Sequence, residues 1–212
     1  MITISVCMIV KDEEDVLERA LSSIKDIADE IIIVDTGSTD MTKEIAAKLK
    51  DKIFDFEWCD DFSKARNSYF SKPTQDYCMW LDADDVLLEA DQKELMKLKE
   101  TLSPETSVVM MRYNTGFDND GKPTFTYYRE RLLRREDQFY WEGFVHEVIS
   151  PRGKMEYSEI AITHRKIKAG KKQPAYYKLE CYMKNSIYKK ENPQNSILIN
   201  CLIQIFSFLI LC

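Results

Sequence analysis

The chain reads as an α/β protein: a mixed, mostly parallel central sheet flanked by helices, followed by a short C-terminal helical extension. Three observations predict this. β-Branched runs alternate with amphipathic stretches as βαβαβαβ up to Asp82, the signature of a doubly wound sheet. The pattern then shifts to hairpin-like strands about Asp118-Asn119-Asp120-Gly121. After His164 the composition turns to lysines, a polar connector and an apolar run.

Taken in order, residues 2–10 alternate little and are rich in β-branched types, as in a parallel strand covered on both faces. This run lacks a basic leader and meets Lys11-Asp12-Glu13-Glu14 directly, so a buried strand is expected and not a signal peptide. Asp12 opens a helical pattern in which Val16, Leu17, Ala20, Leu21 and Ile24 make one apolar stripe over roughly four turns. Glu30 to Asp35 is a second buried strand that ends on a carboxylate. Residues 36–40 then turn into a helix through about Leu49, with Ser38 or Thr39 as its N-cap. Residues 53–58 alternate as a third strand, 62–71 form a short helix, and 77–82 form a fourth strand. A helix from about Asp91 to Leu102 is stopped by Ser103-Pro104. Residues 107–113 and 126–133 are strands around the Asp118–Gly121 turn, with a weaker one near 143–149.

The expected division is an α/β domain over 1–168 and a helical extension over 169–212. Lys166 to Pro174 is a solvated linker, 175–190 a helix and 191–195 a connector. Residues 197–212 are almost wholly apolar, yet shorter than the ~20 residues that span a bilayer. A buried helix of a truncated repeat, an interfacial or membrane-associated tail and a replaced gene end all fit, the first best.

Composition bounds the chemistry. In 212 residues, 44% apolar and 31% charged, there is material for one ordinary domain plus an appendage, and collagen-like, mucin-like and disordered classes are excluded. There are 6 glycines and no GxGxxG or GxxxxGK[ST] string, so a nucleotide must be held by other means than a glycine cradle. With 36 acidic against 30 basic residues the net charge is −6, which disfavours non-specific binding to nucleic acid or an anionic membrane. An acidic protein that handles phosphates needs a cation. The six cysteines are irregularly spaced, without a CxxC pair, and point to reduced thiols in a cytoplasmic protein.

Trp80-Leu81-Asp82-Ala83-Asp84-Asp85 is the strongest local signal. On an extended backbone the two carboxylates of D-x-D share a side and converge at the strand's C-terminal end, where open α/β sheets bind ligands. Paired hard oxygens suit Mg²⁺ or Mn²⁺ on a diphosphate. The plainer alternative makes Asp84 or Asp85 a cap for the following helix. Asp35, one strand over, can accept from a base N–H or merely cap the Gly37 turn. Glu13 can meet the nucleoside from the other side or stay a solvated carboxylate at a helix start.

Residues 5–14, 33–40, Ala65-Arg66-Asn67 and Trp80–Asp85, in this order, resemble the family 2 glycosyltransferases of GT-A fold. The block Trp141-Glu142-Gly143-Phe144-Val145-His146-Glu147 resembles the bacterial branch whose catalytic domain is followed by tetratricopeptide-like helices. The resemblance covers about residues 3–165. It implies a GT-A domain that uses Mn²⁺ or Mg²⁺ and a nucleotide-sugar donor, UDP-linked first, with a glycan, peptide or lipid acceptor. It further implies that Asp35 contacts the base, that Arg66 lies near base or diphosphate, that Asp82 sits against ribose or sugar, and that Asp84 holds the metal. Val10 and Glu13 would complete the nucleotide site. Relatives usually carry Asn at the place of Asp12, so Asp12 is expected to point away.

Inverting transfer also needs a general base. The resemblance places it at His146-Glu147, and because successive strand residues face opposite ways, only one would enter the cleft. Glu147 is the first choice and His146 the second. The resemblance also implies that His164, before the linker, serves the metal or diphosphate, where imidazole favours Mn²⁺ over Mg²⁺; a hydrogen-bonded structural histidine is the alternative for it as for His146. Alternation groups Arg129, Arg131 and with them Arg135 on one face; of these and Arg134, one or two could neutralise phosphate oxygens, the rest being solvated. Tyr140, Trp141 and Phe144 offer flat surface for a sugar or for the core. Two other functions compete: a nucleotidyltransferase, disfavoured because an acidic segment stands where its basic phosphate loop would be, and a non-catalytic binding module.

Overall fold

The computed structural model describes residues 1–48, 52–144 and 146–165. These belong to the first of two units into which the chain divides, Met1–Lys172; the second, Gln173–Cys212, lies outside the described residues, and with it the expected helical extension.

The elements follow as β1 (Ile4–Val10), α1 (Leu17–Ser22), β2 (Glu30–Asp35), α2 (Thr42–Lys48), β3 (Lys52–Asp55), α3 (Phe62–Phe70), β4 (Tyr77–Trp80) and β5 (Asp85–Leu87). Then come α4 (Glu89–Thr101), the long hairpin β6 (Val108–Phe117) and β7 (Pro123–Arg134), β8 (Trp141–Glu142), β9 (Val148–Ile149) and β10 (Met155–His164). Eight strands form one mixed sheet in the order β3-β2-β1-β4-β7-β6-β10-β5, while β8 and β9 pair as a separate ribbon. β1, β2, β3 and β4 run parallel, as the βαβαβαβ order predicts. β7 enters antiparallel to both β4 and β6.

β1 explains why its sequence looked continuously apolar. Ile4, Val6 and Met8 pack with Leu17, Leu21 and Leu95 in one core layer, and Cys7 packs with Tyr69, Trp80 and Trp141 in the other. Each fully buried side chain of Leu or Ile size stabilises by roughly 1.5–3 kcal/mol. No helix among the described residues is long and apolar enough to cross a membrane.

Several boundaries differ from the sequence expectation, each for a tertiary reason. The stripe Val16, Leu17, Ala20, Leu21 and Ile24 is buried as expected, but its helix is one short segment, Leu17–Ser22. Asp12 takes a left-handed φ of 52°, and the backbone N–H groups of Asp12, Glu13 and Glu14 donate to Ser38 Oγ, Thr42 Oγ1 and Asp40 Oδ2, so this stretch is spent on tying two loops together. At the start of α2 neither Ser38 nor Thr39 is the cap; Asp40 Oδ1 accepts from the Thr42 N–H. β4 ends at Trp80, so the D-x-D carboxylates lie on a turn closed by Asp85 N–H to Asp82 O at 3.0 Å, not on extended backbone. α4 starts at Glu89 with Leu88 before it, which removes the capping role considered for Asp84 and Asp85. Two strands lie beyond the sequence expectation: β5 has only three residues, too few to show a period, and β10 runs ten, of which only Ile160-Ala161-Ile162 is continuously apolar.

Candidate active site

Because β1, β2 and β4 are parallel, their carboxyl ends share one edge of the sheet. Val10 pairs with Asp35 at the ends of β1 and β2, and Cys7 pairs with Trp80 at the end of β4. The segments that follow, 11–14, 36–40 and 81–84, therefore emerge together, at the edge where open α/β sheets bind ligands.

Asp35 is buried, its side chain 1% exposed. Its Oδ1 accepts the N–H groups of Gly37 and Ser38, both at 2.9 Å, so the turn-capping role considered for it is real. Gly37 holds φ 103°, which only glycine adopts without strain. Asp35 Oδ2 has no hydrogen-bond partner among the described residues, and a buried unpaired carboxylate oxygen costs free energy unless a ligand or water satisfies it. Val10 spends its carbonyl on Thr36, accepting from both its N–H and its hydroxyl. Asp12 Oδ1 accepts from Thr39 N–H and Oγ1–H, turned into the loop. Burial and the charges of Asp84 and Asp82 push the Glu13 carboxyl up to about 7. Glu13 thus sits in an accumulation of negative charge that a cation would relieve.

The second group lies where β5 runs antiparallel to the end of β10, in a register that opposes Asp85 to His164. His164 Nδ1 lies 3.2 Å from both Asp84 Oδ1 and Asp85 Oδ1. Ligand atoms of the three residues all fall within 4.8 Å of one another. Burial pulls the imidazole pKa down, but hydrogen bonds and charge from Asp84 and Asp85 outweigh it and raise it to about 9. Asp85 is fully buried: Oδ1 accepts from Tyr113 Oη–H at 2.9 Å, and Oδ2 accepts from Arg131 Nη1 at 3.1 Å. Asp84 and His164 keep 23% and 19% of their side-chain surface exposed, and Asp85 none. Asp84 and His164 together can hold a divalent ion such as Mn²⁺, and Asp85, the third member of the group, is placed to orient the histidine.

The third group centres on Arg66 of α3, a helix started by Asp61, whose side chain accepts from Lys64 N–H. The buried guanidinium donates from Nη2 to Asp82 at 2.7 Å and from Nε to Glu147 Oε1 at 2.9 Å, and stacks 4.6 Å from the Trp141 ring. Glu147 is buried and its Oε2 has no partner among the described residues. His146 is exposed, with a left-handed φ of 59°. Of the two base candidates, the structure brings Glu147 to Arg66 and Asp82 and leaves His146 outside that cluster.

The arginines of β7 and the turn after it are spent differently from the expectation. A register shift between β6 and β7, where Val109 faces Leu132 but Met110 faces Glu130, breaks the alternation that grouped Arg129 with Arg131. Arg131 is fully buried, 3.6 Å from the Trp80 ring centroid and 4.3 Å from that of Tyr113, so it holds Asp85 and not a phosphate. Arg129 pairs with Glu130 and Arg134 with Asp137, while Arg135 donates to Gln75 O. Trp141 is buried against Trp80 and Phe70, whereas Tyr140 is exposed. Asp85, Tyr113 and Arg131 were missed as a unit. The only sequence signals were a third Asp after D-x-D and an Arg inside an apolar strand.

Known proteins resemble this chain in sequence and in fold. The family model "Glycosyl transferase family 2" matches residues 5–153. Over 88 residues the chain is 47% identical to a TPR repeat-containing protein of Synechococcus elongatus, covering 42% of this chain and 22% of that protein. Over 102 residues it is 32% identical to the SPbeta prophage-derived glycosyltransferase SunS of Bacillus subtilis, covering 47% and 24%. The chain thus spans less than a quarter of either relative. The fold superposes on glucosyl-3-phosphoglycerate synthase from Mycobacterium tuberculosis, solved with Mn²⁺ and uridine-diphosphate-glucose, with a TM-score of 0.56 and 15% identity over 86% of this chain and 76% of that one. This is the GT-A fold, and the chain belongs to the family 2 glycosyl transferases.

Proposed function

We propose that the protein is an inverting, metal-dependent glycosyltransferase that moves a hexose or N-acetylhexosamine from a nucleotide-diphosphate-sugar, UDP-linked first, to an acceptor hydroxyl or thiol. The observation that carries this is the convergence of Asp35, Asp82 and Asp84 on one edge of the sheet, with an unsatisfied oxygen on the first and a metal-competent trio around the last. The M. tuberculosis neighbour, bound to Mn²⁺ and UDP-glucose, supports the same assignment.

In this reading Asp35 accepts from the base, Val10 and Glu13 border the nucleoside, and Asp82, fixed by Arg66, meets the ribose or sugar. Asp84 and His164 hold Mn²⁺ or Mg²⁺, backed by Asp85. A divalent ion there supplies positive charge against the diphosphate as it departs. Glu147 takes the acceptor proton as the acceptor oxygen or sulfur bonds to the anomeric carbon and the bond from that carbon to the diphosphate breaks. Its placement by Arg66 favours it over His146, and one general base typically contributes ~10²–10⁴-fold. We further propose a catalytic unit over 1–168, a tetratricopeptide-type extension beyond it, suggested by the Synechococcus relative, and a cytoplasmic location.

Titration calorimetry with UDP, with and without Mn²⁺, tests the assignment. Binding should require the metal, and Asp84→Ala should abolish this metal-dependent binding while leaving the melting temperature close to that of the parent. Equal affinity without metal refutes it.

A further inference from the structure

We infer that Lys43 reads the donor base together with Asp35, and that the pair selects an imide edge, an N–H flanked by carbonyls, as carried by uracil and thymine. This rests on the proposed nucleotide site and adds the group that decides which nucleotide enters it.

The inference starts from how Asp35 is spent. Its Oδ1 already accepts two backbone N–H groups, from Gly37 and Ser38, which use both lone pairs. That leaves a single oxygen, Oδ2, buried and unpartnered among the described residues. A lone acceptor matches a base that presents one N–H. It is a poor match for guanine, whose adjacent N1–H and N2–H₂ call for two acceptors. It opposes the acceptor ring nitrogens of cytosine and adenine.

An imide also needs donors for its carbonyls. Lys43, in the first turn of α2, brings Nζ to 3.7 Å from Asp35 Oδ1 and 2.5 Å from Asp55 Oδ1 at the end of β3. The lysine is 42% exposed and Asp55 is 79% exposed, so the ammonium stands beside Asp35, held by a carboxylate that does not enclose it. Phe56 N–H donates to Asp35 O at 2.8 Å, which fixes the end of β3 against the end of β2 and keeps Asp55 beside Asp35. Oδ1 and Oδ2 belong to one carboxylate, so a base that donates its N–H to Oδ2 comes within reach of Nζ, 3.7 Å from Oδ1, for one of its carbonyls. An acceptor and a cationic donor side by side complement the N–H and C=O of the imide.

Calorimetry with UDP, dTDP, GDP, CDP and ADP in the presence of Mn²⁺ tests this on the full chain. The wild type should bind UDP and dTDP about tenfold more tightly than the other three. Lys43→Met should weaken UDP by about tenfold and ADP, which has no base carbonyl, by less than about twofold. Loss of a mere diffuse charge would weaken both alike. Asp35→Asn keeps a carbonyl for Gly37 and Ser38 but turns an N–H₂ toward the base, so preference should move from UDP to CDP, whose ring nitrogen accepts. UDP bound with metal dependence but with an unchanged UDP to ADP ratio in Lys43→Met overturns the inference while the proposed function stands. Failure of every nucleoside diphosphate to bind overturns both.

Discussion

Replacing Arg131 by Met tests whether the buried Arg131 and Asp85 pair is what holds the metal-competent corner together. Both side chains are fully buried. The substitution removes the guanidinium that donates to Asp85 Oδ2 at 3.1 Å and to Trp80 O at 3.1 Å, leaving Asp85 Oδ2 with the Asp82 N–H at 3.4 Å. It also removes a cation stacked 3.6 Å from Trp80, while Met retains a softer contact with the same ring. Removing one partner of a buried ion pair costs about 3–5 kcal/mol. For a chain of this size that lowers the melting temperature by roughly 6–20 °C. Asp85 Oδ1 keeps Tyr113 and His164, so the lower half of that range is expected. The double variant Arg131→Met with Asp85→Asn removes both charges at once. It should cost at least about 2 kcal/mol less than the sum of the two single changes. Urea denaturation of the four proteins measures the cycle. A cost below about 1 kcal/mol for Arg131→Met, or strict additivity, refutes the claim that the pair is coupled.

Three further outcomes are expected. Glu147→Gln should abolish transfer and leave UDP affinity within about threefold, because the amide oxygen still accepts from Arg66 and only the proton acceptor is lost; full turnover would move the base to His146. Burial alone would raise the Glu30 pKa, but hydrogen bonds from Lys52, Ser5 and Thr74 hold it below its ordinary 4.5. The folded state therefore binds fewer protons than the unfolded one, so this stabilisation is present above pH 4.5 and is lost as pH falls through the folded value. Acid melts of Glu30→Gln should show a shallower decline below pH 4.5 than the parent, and identical slopes would contradict the assignment. Gly153→Ala should destabilise by about 2–4 kcal/mol, since Gly153 holds φ 80° and an added Cβ would lie 2.2 Å from Ser107 Oγ and 2.7 Å from its Cβ; a neutral result in denaturation would show that the loop shifts freely.

The sequence by itself determined the parallel half of the sheet. Apolar runs in β1, β2 and β4 and the amphipathic stretches between them are local signals, and right-handed crossovers then place Asp35 and Asp82 on one edge without further information. Arg66 and Glu147 were legible only because their surrounding strings resemble a family, since nothing local says that residues 81 positions apart share a hydrogen bond. What tertiary structure decided is how each carboxylate is used. Asp85 meets Arg131, Tyr113 and His164 from 46, 28 and 79 positions away. That meeting depends on a three-residue strand too short to show a period and on a register shift that reverses the expected alternation of β7. Periodicity reports which face of an element is buried; partner choice within that buried layer follows from strand order and register, which are set by contacts distant in sequence.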